Sequence, residues 1–193
     1  SLYLPFDLHT TDPFILGMRE VRLSTLLSTL EGHPRLQSFE LSLGSMGTLI
    51  IQSIIQLITN NPKIQFLSLP ENQLESGHLD LLFPAIHARK NLHALNFRKN
   101  WLQSDATSIL KNISISRKLS LLDVSDNNLG NSAMQLLLMP ASSHFEKESI
   151  DYLDLSFNHI NKFGIHKLYK KLTRVNANVQ LSTPVLCLND NPI

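Results

Sequence analysis

An α/β repeat solenoid, built from strand-and-helix units, is the fold class that this sequence predicts. Three observations predict it. A leucine-and-asparagine pattern recurs at a steady period. The second half of each unit carries apolar residues four apart. The composition, 42% hydrophobic and 17% charged over 193 residues, supports a continuous core.

The first observation is read from Leu92 to Leu102, which follows L-x-x-L-x-L-x-x-N-x-L with Phe97 at the third leucine. The pattern starts again at Ile64 (with Leu67, Leu69, Asn72 and Leu74), at Leu119 (Leu122, Val124, Asn127, Leu129) and at Ile150 (Leu153, Leu155, Asn158, Ile160). A weaker copy starts at Leu36, with Phe39, Leu41 and Met46, and Gly44 where the others have asparagine. A last copy carries Leu186, Leu188, Asn191 and Ile193. Successive starts are 28, 28, 27 and 31 residues apart.

The second observation lies between the strands. The sets Ile50, Ile54, Ile58; His78, Leu82, Ile86; Ala106, Leu110, Ser114; Ala133, Leu137, Ala141; and Gly164, Leu168, Leu172 each run at steps of four. That spacing lines one face of an α-helix. Capping residue types near Ser76, Ser104, Ser132 and Asn161 mark the starts, and Asn60-Asn61-Pro62 marks a stop. Upstream, Leu23, Leu26, Leu27 and Leu30 read as an amphipathic helix ended by His33-Pro34, while Leu2 to Met18 fit no strand pattern. Residues 1–35 are therefore expected to form a degenerate terminal repeat or cap, and 36–193 about five full units and a truncated one, in one continuous domain. Ser1 in place of methionine suggests a processed fragment. The mid-repeat end at Ile193 leads us to expect that the protein continues or that another chain covers that edge.

These motifs resemble leucine-rich repeats, over roughly Leu36 to Ile193, and the period near 28 resembles the ribonuclease-inhibitor-like subclass. The resemblance implies a curved, right-handed horseshoe with parallel strands on the concave face and helices on the convex face. It also implies that the column Asn72, Asn100, Asn127, Asn158 and Asn191 hydrogen-bonds to turn backbone. Heavy use of Ile, Asn, Lys, Ser and Leu, with repeats of uneven length, resembles the Legionella-type leucine-rich-repeat effectors. That likeness would imply secretion into a host cell's cytoplasm and a host protein as partner; a host-side cytoplasmic repeat protein is the alternative.

Strand alternation separates core leucines from residues that face outward. From Leu36 onward the outward set includes Ser38, Glu40 and Ser42, then Phe66, Ser68, Pro70, Glu71 and Gln73. Ala94, Asn96, Arg98, Lys99 and Trp101 follow, then Leu121, Asp123, Ser125, Asp126 and Asn128, then Tyr152, Asp154, Ser156, Phe157 and His159. Aromatics and charges stand out, and Trp, Tyr and Arg are the types enriched at binding hot spots. The expected protein-binding residues are Phe66, Arg98, Lys99, Trp101, Asp123, Asp126, Tyr152, Asp154, Phe157 and His159. The competing reading makes the charges a neutralising ladder between strands. The segment 162–174 holds Lys162, Lys167, Lys170, Lys171 and Arg174 beside Ile165, Leu168 and Leu172. It reads as a solvated face without interleaved exposed aromatics, with anionic lipid or RNA as the alternative contact.

Composition narrows the function classes. Lysine plus arginine is 17 against 16 acidic residues, which disfavours a strongly basic nucleic-acid binder. One cysteine excludes an internal disulfide framework. No apolar run approaches the ~20 residues of a membrane-spanning helix. Neither phosphate-binding glycine motif is present, and the eight histidines lack metal-ligand spacing, so neither cofactor nor metal is expected. His78 reads as a partly buried structural residue. Cys187 should face outward, with His159 the nearest candidate base. The chain is thus expected to be a non-enzymatic module that binds a protein, of open oligomeric state. The alternatives are a regulator or inhibitor of an enzyme or small GTPase, and surface association through 162–174.

Overall fold

In a computed structural model, residues 13–114, 119–137, 150–174 and 185–193 are described. Among these described residues, six strands of three residues each form one parallel sheet: β1 Ser38–Glu40, β2 Phe66–Ser68, β3 Ala94–Asn96, β4 Leu121–Asp123, β5 Tyr152–Asp154 and β6 Val185–Cys187. Spatial order equals chain order, and neighbouring repeats pair without slippage (Leu67 opposite Leu95, Leu95 opposite Leu122, Leu122 opposite Leu153, Leu153 opposite Leu186). Parallel neighbours need a crossover. The helices supply it: α2 Thr48–Asn60, α3 Ser76–His87, α4 Ala106–Ser114, a 3-10 helix Gly130–Leu137, and α5 Lys162–Arg174. An N-terminal helix, α1 Pro13–Thr29, packs against α2.

The recurring leucines build this arrangement. Each of the first five strands buries its central residue (Phe39, Leu67, Leu95, Leu122, Leu153) and turns its flanking residues outward. From the helix side Ile50, Ile54, Ile58, Leu82, Ile86, Ala106 and Leu110 meet them, so the four-residue sets face inward as their spacing requires. One apolar core runs from Leu23 to Ile160. Its last layer is thinner, with Leu186 of β6 38% exposed. This α/β sheet-and-helix stack is the leucine-rich-repeat solenoid expected from the sequence.

The asparagine column ties each turn to the next. Asn100 accepts the backbone N–H of Asn72 at 3.0 Å and of Leu74 at 2.9 Å on Oδ1. Its Nδ2 donates to the carbonyls of Leu69 and Phe97, each at 2.9 Å. Asn72, Asn127, Asn158 and Asn191 repeat the device between their own neighbours. The residue before each asparagine (Glu71, Lys99, Asp126, Phe157, Asp190) takes a positive φ. In the first repeat Gly44 itself holds that conformation, at φ 80°, where glycine carries no steric cost.

Several elements differ from the sequence reading. The segment after Leu129 is a 3-10 helix, not an α-helix. Its buried residues, Ala133 with Leu136 and Met134 with Leu137, recur every three positions, which suits three residues per turn; Ala141 lies outside the described residues. The first helix begins at Pro13, inside the stretch read as irregular, and leaves through a turn at Gly32 before His33. Helix α3 is capped from Glu75 rather than Ser76. His78, half-buried, accepts the Glu75 N–H on Nδ1 at 3.0 Å, a structural role. Asn161 caps α5 as expected, accepting the Phe163 N–H at 2.9 Å.

Candidate functional site

On the outward face of the sheet the parallel register sets Phe66 and Tyr152 in one column and Asp123 and Asp154 in another. The first column runs Phe66, Ala94, Leu121, Tyr152, Val185: an apolar row, half-buried from Phe66 to Tyr152 and exposed at Val185. The second runs Ser68, Asn96, Asp123, Asp154, Cys187. Beyond the strand ends stand Arg98, Lys99, Trp101, Asp126, Phe157 and His159. Of these only Asp126 is half-buried; the others are exposed. Trp101 is 55% exposed and Phe157 51%, large apolar surfaces left to solvent on turns that are themselves pinned.

The acidic residues do more than present charge. Asp123 accepts the backbone N–H of Ser125 at 3.0 Å and its hydroxyl at 2.7 Å. Asp154 accepts the Ser156 N–H at 2.9 Å on Oδ1 and the Tyr152 phenol at 3.1 Å on Oδ2. Asn96 does the same for the Arg98 N–H at 2.8 Å. These short side chains close each strand end as an Asx turn. Lys99 pairs with Glu71 of the preceding repeat at 3.2 Å, one rung of a neutralising ladder, while among the described residues Asp123, Asp126 and Asp154 form no ion pair. Three residues read as surface from alternation alone, Ser68, Ser125 and Ser156, are buried under their neighbours.

Cys187 does face outward, but its partner is the Tyr152 hydroxyl at 3.6 Å. The register sets the thiol opposite Asp154, and His159 lies past the Asn158 turn. Tyr152 is held well above the ordinary phenol range, first by its hydrogen bond with Cys187, then by burial and by the adjacent Asp154 carboxylate. The phenol accepts from the Cys187 thiol and donates to the Asp154 carboxylate. Among the described residues no group of three His, Cys, Asp or Glu side chains is placed to hold a metal ion.

Helix α5 departs from expectation. Lys162, Lys167 and Lys170 are exposed, and so are Phe163 (69%) and Tyr169 (64%), so aromatics do interleave the basic residues. Lys162 lies 5.6 Å from the centre of the Phe163 ring. The side chains of Leu168 and of 171–174 lie outside the description. Among the described residues no helix is long and apolar enough to cross a membrane.

Comparison with known proteins places the architecture. No family model matches the chain, and no curated protein matches its sequence. Among solved structures, the C-terminal domain of tropomodulin from Caenorhabditis elegans is similar at a TM-score of 0.58 and 18% identity, covering 79% of this chain and 92% of that one. An internalin from Listeria monocytogenes aligns at a TM-score of 0.45 and 14% identity, over 89% of this chain and 45% of its own. TLR13, from a complex with ssRNA13, aligns at 0.36 and 17%, over 86% of this chain and 31% of its own. At these identities the likeness concerns the fold: this chain is a leucine-rich-repeat protein by architecture.

Proposed function

We propose that the outward strand face is a protein-binding surface. The observation that carries this reading is the exposure of Trp101 and Phe157 together with Arg98 on turns held rigid by the asparagine column. Large aromatic surface on a pre-ordered backbone binds with little ordering cost. Tyr152 and the apolar row add contact area in the middle of the face. Within the same reading, residues 1–35 serve as the N-terminal cap, and the period near 28 supports the ribonuclease-inhibitor-like subclass. The compositional resemblance to Legionella-type effectors would make the partner a host cytoplasmic protein. The chemistry invoked is recognition rather than catalysis.

The test is a pull-down from eukaryotic cell lysate with the wild type beside an Arg98→Glu, Trp101→Ala, Tyr152→Ala variant, both shown to fold by circular dichroism. Proteins retained by the wild type and lost by the variant are the expected result. Identical retention sinks the strand-face reading and moves attention to α5, whose exposed aromatics and lysines suit an anionic surface.

A further inference from the structure

Charge is unevenly spread along this chain. From Leu155 to Asn189 the sequence holds five lysines and arginines and neither aspartate nor glutamate. All five lie in α5. The other 12 of the 17 basic residues are set against all 16 acidic ones, so the rest of the chain is negative by four charges. The 3-10 helix packed against α5, Gly130–Leu137, carries no charged residue. A concentrated basic face on a nearly neutral chain is a surface for something anionic.

The outer face of α5 adds an apolar feature. Lys162, Phe163, His166, Lys167, Tyr169 and Lys170 are all exposed and stand three and four positions apart, which places them on one side of the helix. The other side is occupied. Gly164 is buried, where a Cβ would meet the Asn131 side chain, and Ile165 packs on the core. Phe163 is 69% exposed and has no polar atom to hydrate. The backbone that presents it is held. Asn161 accepts the Phe163 N–H at 2.9 Å and the Asn131 amide at 3.0 Å, and donates its own N–H to Asn131 at 2.9 Å. The Lys162 ammonium lies 5.6 Å from the ring centre, so ring and charge project together.

We propose that this face of α5 docks on the surface of an anionic lipid bilayer, with Phe163 entering the headgroup region and the lysines set against the charged headgroups. Two observations choose a bilayer over other anions. An apolar ring among cations gains from leaving water at the acyl boundary as well as from charge. The described cations of this face are lysines, point charges that suit mobile headgroups. A phosphodiester strand or an acidic peptide is better gripped by the fixed fork of arginine, and a strand also needs a groove, which one helix face does not form. The leucine core separates α5 from the strand face, so a chain held on a membrane keeps that face open to a protein. Docking of α5 does not depend on the strand-face reading.

The test is cosedimentation of the full chain with phosphatidylcholine vesicles, with and without phosphatidylserine. The chain should sediment only with the phosphatidylserine vesicles, and should be released as salt rises. Lys162→Glu combined with Lys167→Glu should weaken binding by about tenfold or more, since each lysine near such a surface contributes about fivefold. Phe163→Ser should weaken it by about threefold or more while Phe163→Trp keeps it, both with unchanged circular dichroism. Trp101→Ala, on the strand face, should sediment as the wild type does. No sedimentation with phosphatidylserine vesicles at low salt, or equal sedimentation with both kinds, overturns the docking. Binding that ignores Phe163→Ser overturns it too, because α5 is then a charge contact only. Vesicle binding lost on Trp101→Ala moves the contact to the strand face and overturns the assignment to α5. A single-stranded RNA oligomer that binds where vesicles do not, and is lost on the lysine substitutions, makes the face a nucleic-acid site instead.

Discussion

Replacing Asn100 by alanine should remove a large part of the stability of this solenoid. The side chain is buried and accepts two backbone N–H groups, from Asn72 and Leu74, while donating to the carbonyls of Leu69 and Phe97. Alanine reaches none of them. A buried donor left unpaired costs about 1–3 kcal/mol. Two such donors, with some relief from entering water, give about 3–5 kcal/mol, against a typical total of about 5–15 kcal/mol. With a urea slope of about 2–3 kcal/mol per molar, the midpoint should fall by roughly 1–2 M. Asn100→Asp keeps the acceptor, but sets a carboxylate against the Leu69 and Phe97 carbonyls, and should cost at least as much. Asn128→Ala, on an exposed side chain one residue past the column, should change stability by no more than about 0.5 kcal/mol. Urea titrations followed by circular dichroism measure all three. A shift below about 0.5 M for Asn100→Ala would refute the claim that the column holds the turns together.

Other expectations concern packing, space and protonation. Leu95→Ala should cost about 2–5 kcal/mol in the same titration, because Leu95 is fully buried, whereas Leu186→Ala should cost much less because that side chain is already partly in water. Gly17 has open space where a Cβ would stand and lies in an exposed part of α1, so Gly17→Ala should stabilise by about 0.5–1 kcal/mol. Gly164→Ala should destabilise, because the new carbon meets the Asn131 carboxamide, which is fixed by hydrogen bonds with Asn161; thermal melts give the opposite signs. Tyr152 should ionise above the ordinary phenol value of 10.0. Below that pH both folded and unfolded chains keep the proton. Above it the unfolded chain loses the proton first, so stability should fall as pH rises through that range. Ultraviolet titration should show a late-ionising phenol that Tyr152→Phe lacks.

How far the sequence alone reaches depends on whether a feature repeats. Leu67, Leu95, Leu122 and Leu153 announce themselves because each repeat needs one apolar side chain at the same strand position. The asparagine column is legible for the same reason, since each turn presents the same unpaired backbone groups. What escapes is particular to one repeat. The Glu75–His78 cap uses a histidine where a glutamate or glutamine would have been the recognisable signal. The 3-10 helix at Gly130–Leu137 hides because Ala133 and Leu137 also fit a four-residue step. Burial of Ser68, Ser125 and Ser156 is invisible to alternation, which gives the face a side chain points to but not what covers it. The aspartates were legible as surface charge, while their use in closing turns depends on backbone placement that only the structure shows.

Hydrogen–deuterium exchange on the chain, alone and with a captured partner, tests whether the strand face is where the partner binds. New protection is expected at 98–101, 125–128 and 156–159 on the strand face, with α5 unchanged. Protection confined to 162–174, with the strand-face turns exchanging as before, would contradict it.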